Sequence, residues 1–88
     1  MAYAGPKRDP ALVARVKALR AEGMHWSGLC HFLEGAGLFP GDMMWLLMEA
    51  FGFELGDASA VDGWFPHGKG GIDDDRLDRL LDMAVRRR

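Results

Sequence analysis

The chain has 88 residues, 49% of them hydrophobic and 27% charged, with a formal net charge of −2. This is the composition of one small globular domain, not of a disordered chain, and a domain this short buries roughly 60–65% of its extended surface. The near-balanced charge excludes a globally basic nucleic-acid binder, and no apolar run approaches the ~20 residues that span a bilayer.

The single cysteine, Cys30, excludes an internal disulfide framework and fits a reducing compartment. No basic n-region followed by an apolar segment and a cleavage site stands at the start, so a cytoplasmic protein is expected. Asn, Gln and Thr are absent while Ala, Gly, Asp and Arg abound, the residue usage of a GC-rich bacterial or phage genome. Charge is unevenly spread. Residues 1–24 hold Lys7, Arg8, Arg15, Lys17 and Arg20 against Asp9 and Glu22, whereas residues 40–64 hold Asp42, Glu49, Glu54, Asp57 and Asp62 with no Lys or Arg.

Residues 1–8 lack periodicity and read as a flexible N-terminal tail ahead of a single helical domain over residues 9–88. Asp9-Pro10 is a helix start, with Asp as N-cap and Pro at the first helical position. Leu12, Val16 and Leu19 then recur at helical spacing to about Glu22, with Arg15, Lys17 and Arg20 on the wet side, and Gly23 ends the element. Residues 25–36 form a shorter helix on Leu29, Phe32 and Leu33, capped by His25 or Ser27 and weakened by Gly28 and Gly35. Pro40 opens the next helix, with Asp42 in its first turn.

That third helix, about residues 40–51, contains six consecutive large apolar residues from Met43 to Met48. A helix apolar on every side has no water-facing stripe and must be wrapped by other elements or by a partner, so it is expected at the centre of the domain with Trp45 in the core. A short helical segment follows over about residues 56–62, with Ala58 and Val61 inward and Gly63 closing it. Residues 64–71 then read as a Gly/Pro-rich loop. The last helix has Asp73 as N-cap, Ile72 and Leu77 as a hydrophobic staple, and a stripe of Leu77, Leu80, Leu81, Ala84 and Val85. Asp74 and Asp75 lie at its positive end, Arg86 to Arg88 lie at its negative end, and Asp75–Arg79 and Asp82–Arg86 are i, i+4 pairs.

Gly37-Leu38-Phe39-Pro40, then residues 44–51, then Gly52-Phe53-Glu54-Leu55-Gly56-Asp57-Ala58 make a Gly-rich turn, a helix closed by an "EA-aromatic-G" step, and a "Leu-x-x-Ala" start. This stretch resembles the helix-turn-helix hairpin in the C-terminal domain of ribosomal protein L7/L12. The resemblance covers about 25 residues and implies a helical docking hairpin. The family's lysine-rich contact helix has no counterpart, because the matching segment carries Glu54, Asp57 and Asp62.

Chemistry-bearing constellations are sparse. His25, Cys30, His31 and His67 lack the paired spacing of zinc ligands, and adjacent Cys30 and His31 point about 100° apart on a helix. Ser27 and Ser59 belong to no nucleophile motif, and Asp73 to Asp75 read as a helix start and not a cation loop. Neither catalysis nor a cofactor nor a metal is expected. A helix-turn-helix DNA binder using the basic first helix is the runner-up. The would-be recognition helix, however, offers no Arg, Lys, Asn or Gln to base edges, and Asp42 and Glu49 would repel phosphates.

The expectation is therefore an all-α compact bundle of four to five short helices around the central apolar helix. Its function would be that of a small acidic bacterial or phage interaction module of the immunity, inhibitor or adaptor type. It would bind another protein, or itself, through exposed apolar and acidic surface: Trp64, Phe65, His67 and Lys69 on the loop, with Asp42, Glu49, Glu54 and Asp57.

Overall fold

The computed structural model describes residues 9–87, and every regular element in them is helical. In order these are α1 (Pro10–Ala21), α2 (Trp26–Gly35), α3 (Pro40–Phe51), α4 (Leu55–Ala58), α5 (Ala60–Trp64) and α6 (Asp74–Arg86). The fold is the expected all-α bundle, with its fourth helix broken at Ser59 into the two short turns α4 and α5. The expected tail, residues 1–8, lies outside the described residues. No helix among the described residues is long and apolar enough to cross a membrane.

Local chemistry sets most helix ends. The Asp9 carboxylate accepts the Ala11 backbone N–H at 2.9 Å and Pro10 begins α1. Gly52 ends α3 in the left-handed conformation, at φ 74. The Asp73 carboxylate accepts the Arg76 N–H at 2.8 Å to open α6. α2 is different: His25 stands at its N-cap and makes no side-chain cap bond, and Ser27 is already inside the helix. Of the two expected residues His25 takes the N-cap position, but the side-chain bond that a cap would supply comes instead from α6.

One buried cluster draws on all six helices, including Val16, Leu29, Met43, Leu46, Leu47, Ala58, Val61, Trp64, Leu77 and Leu81. α1 packs along α3 and α2 along α6, while α4 and α5 fill the space between α3 and α6. Packing against its neighbours holds α2 despite its two glycines, because propensity deficits of about 1 kcal/mol each are small beside the burial of Leu29, Cys30 and Leu33.

Three sequence expectations fail in and around this core. Trp64 is not on an open loop: it is the last residue of α5 and 0% exposed. Gly63, expected to close the segment, lies inside α5. Arg20 is not simply on the wet side either, since its guanidinium lies 4.0 Å over the Trp26 ring and donates to the Met24 carbonyl at 2.9 Å.

Candidate functional site

The outward face of α3 follows from which of its residues are inward. Met43, Leu46, Leu47 and Ala50 are buried at i, i+3, i+4 and i+7, which turns Trp45 and Glu49 to the opposite side. Trp45 is 57% exposed, so the expectation of a helix wrapped all round, with Trp45 in the core, is corrected. Asp42 stands three residues before Trp45 and Glu49 four residues after it, on the same stripe, with half-buried Met44 and Met48 as its flanks. At the head of the helix Phe39 is 71% exposed, and its ring meets that of Phe65 at 6.3 Å.

The residues expected to form one binding surface are thereby divided. Trp64 is removed from it, because its indole is buried and its Nε1–H donates to Asp74 Oδ1 at 2.7 Å. Phe65 is half-buried and adjoins the α3 face through Phe39. His67 is tied to α2: both its backbone N–H (3.2 Å) and its Nδ1 (3.1 Å) meet Glu34 Oε1. Lys69 is exposed on the same loop. Glu49 and Glu54 are exposed, Asp42 is half-buried, and Asp57 is ion-paired with Arg87.

α6 carries two faces of opposite character. Its inward aspartates, Asp74, Asp78 and Asp82, repeat at i, i+4 and i+8 and form an acidic seam against α2 and α5. Asp74 takes the Trp64 indole and lies 3.1 Å from His31 Nε2; Asp78 takes the Ser27 N–H at 2.7 Å and its hydroxyl at 3.0 Å; Asp82 takes the Trp26 indole at 2.8 Å. Asp82 thus faces Trp26 and, at 3.6 Å, Arg20 on α1, in place of the local Asp82–Arg86 pair expected from spacing. Stacking like charges one turn apart costs an isolated helix a few tenths of a kcal/mol each, and charge-assisted hydrogen bonds of about 1.5–3 kcal/mol outweigh it. The Trp64 donor, and secondarily the His31 ring, hold the Asp74 carboxyl below its ordinary 3.8, against the opposing effect of burial.

The outward face of α6 is basic. Arg76, Arg79 and Arg86 are exposed around Met83, itself 51% exposed. Beside Met83, a cleft of about 310 Å³ opens toward α4 and α5, lined by Ala60, Ile72, Leu80 and Met83, with Asp57 and Arg87 at its rim. Trp45, Phe39, Met83 and these arginines were absent from the surface expected from sequence. The signal for Trp45 was present in the Asp42–Trp45–Glu49 spacing, masked by the unbroken apolar run around it.

A larger hollow of about 560 Å³ is bordered by Glu22, His25, Ser27, His31 and Asp74. Its inner polar groups are already engaged, Ser27 with Asp78 and His31 with Asp74. Among the described residues no three His, Cys, Asp or Glu side chains are grouped so as to hold a metal ion. Cys30 is fully buried in α2, and burial, reinforced by Asp78, Asp74 and Glu34, pushes its thiol up to about 12. Compared with known protein families, curated proteins and solved structures, the chain finds no match in any of the three.

Proposed function

We propose that this chain is a small non-catalytic protein–protein interaction module, of the inhibitor or adaptor kind, that docks a cationic protein surface on the α3 face around Trp45. One observation carries the reading: Trp45 is 57% exposed between Asp42 and Glu49, whereas Trp26 and Trp64 are 3% and 0% exposed. An indole held at the surface of a small domain is a typical interface anchor, able to contribute about 2 kcal/mol or more once desolvated. The acids around it, in a stretch of residues 40–64 that has no Lys or Arg, select a basic rim on the partner and repel phosphate. The same charges argue against α3 as a DNA recognition helix. A thiol near 12 is no nucleophile at neutral pH, which supports the non-catalytic reading.

Trp45 is its own reporter. Because the other two tryptophans are buried, acrylamide quenching of the native protein reads chiefly Trp45. Titration with a synthetic amphipathic helix of leucine and lysine at low salt is expected to shift emission to the blue and protect it from quencher. The matching leucine–glutamate helix and duplex DNA are expected to do neither, and Trp45→Phe is expected to remove the response. Equal responses to the two helices, or saturable binding of duplex DNA, would overturn the proposal.

A further inference from the structure

We infer that the cationic surface fitted to the α3 face is that of a second copy of this chain, presenting the arginine face of α6. The inference rests on reading the α3 face as a docking surface, and it names the partner. On α3, Trp45 has acids at i−3 (Asp42) and i+4 (Glu49); on α6, Met83 has arginines at i−4 (Arg79) and i+3 (Arg86). The two patterns are mirror images. Laid antiparallel with Trp45 on Met83, the helices put Asp42 opposite Arg86 and Glu49 opposite Arg79. Each charged pair of residues spans seven positions, about 10.5 Å at 1.5 Å per residue, so both ion pairs form in one register.

The apolar contact at the centre matches as well. A thioether against an indole is a favourable pairing, and the neighbouring cleft of Ala60, Ile72 and Leu80 offers apolar wall to the ring edge. Arg76, one further turn along from Arg79, extends the positive field beyond Glu49. Within one molecule the two faces cannot meet, since α2, α4 and α5 pack between α3 and α6. The contact is therefore heterologous: each copy offers its α3 face to one neighbour and its α6 face to another, and the assembly grows as a chain or closes as a ring. A single helix face on another falls below the ~1,200 Å² of standard interfaces, so the association is weak, concentration-dependent and salt-sensitive.

The test is sedimentation velocity of the full chain across a wide concentration range. At low salt the weight-average mass is expected to rise steadily with concentration and to fall back to the monomer at about 1 M salt, where the screening length is only ~3 Å. Glu49→Arg and Arg79→Glu, both at exposed positions, are each expected to weaken association about tenfold with an unchanged helical spectrum. The double variant Glu49→Arg/Arg79→Glu restores it, as does mixing the two single variants, which only a head-to-tail contact between these two faces produces. A chain that stays monomeric at every concentration, while the leucine–lysine helix still protects Trp45, would overturn the self-partner and leave the docking face standing. Loss of both responses would overturn both readings. An oligomer indifferent to the single reversals, or one not restored by the double variant, would also overturn the inference.

Discussion

Asp78 on α6 caps the N-terminus of α2 from across the helix interface, its Oδ1 accepting the Ser27 backbone N–H at 2.7 Å and its Oδ2 the Ser27 hydroxyl at 3.0 Å. A cap normally comes from the residue just before the helix, and here that residue, His25, makes no such bond. The carboxylate also lies at the positive end of the helix dipole. Asp78→Ala removes the cap and leaves the buried Ser27 hydroxyl without its partner, an expected loss of about 2–3 kcal/mol. For a domain of this size that lowers Tm by about 10–20 °C. Asp78→Asn keeps an acceptor for the N–H and replaces the second acceptor with an amide donor to which the hydroxyl oxygen can accept, and is expected to lose less than half as much. Thermal melts followed by circular dichroism separate the two.

Asp74 ties acid sensitivity to the same seam. Its carboxyl is held below the ordinary 3.8 chiefly by the indole N–H of buried Trp64, and next by His31. A carboxyl depressed in the folded state stabilises the fold fully above the unfolded value, and this stabilisation is lost as pH falls through the folded-state value. Urea midpoints are therefore expected to drop between about pH 5 and the folded-state titration of Asp74. Asp74→Asn is expected to start lower at neutral pH and to lose less on acidification. An Asp74→Asn variant with an undiminished acid slope would assign that slope to other carboxylates.

How much of this was readable beforehand depended on how far each partner lay along the chain. Asp9-Pro10, Gly52 and Asp73 mark helix ends through neighbours within four residues, so those ends were legible. Asp78 and Asp82 receive donors 51 and 56 residues away, and nothing near them in sequence distinguishes them from surface aspartates. Trp64 sits beside glycines and a proline that read as open loop, yet the chain folds back so that Asp74, ten residues on, meets its indole. Trp45 was the converse: its acids at i−3 and i+4 marked an outward stripe, and six consecutive apolar residues obscured it.

Cys30 gives a direct measure of how tightly this core is closed. The thiol is fully buried and pushed up to about 12, so almost none of it is thiolate at neutral pH. Ellman's reagent is expected to leave the native protein untouched on the time scale of its complete reaction in urea. Any slow native labelling is expected to follow the opening of the α2–α6 interface, and to accelerate in Asp78→Ala as that interface loosens. Rapid stoichiometric labelling of the native protein would show that α2 does not enclose the sulfur.

Gly35 of α2 and Gly70 in the segment after α5 should respond to alanine in opposite directions. At Gly70 an added Cβ would lie 2.1 Å from the Phe65 carbonyl oxygen and 2.7 Å from that of Gly63. Those are backbone atoms of the turn in which Ile72 donates to Gly63 at 3.1 Å, so neither can yield without opening the turn. Gly70→Ala is expected to cost at least about 2–3 kcal/mol. It should also shift Trp64 emission to the red, because this segment leads directly into Asp74 and its bond to the indole. Gly35, the last residue of α2, has open space where a Cβ would stand, and its backbone already suits an L-residue. Gly35→Ala is expected to gain about 0.5–1 kcal/mol by restricting the unfolded chain and improving helix propensity. Opposite shifts in Tm, with a fluorescence change confined to Gly70→Ala, would locate the rigidity of the domain in the turn that delivers Asp74 to Trp64.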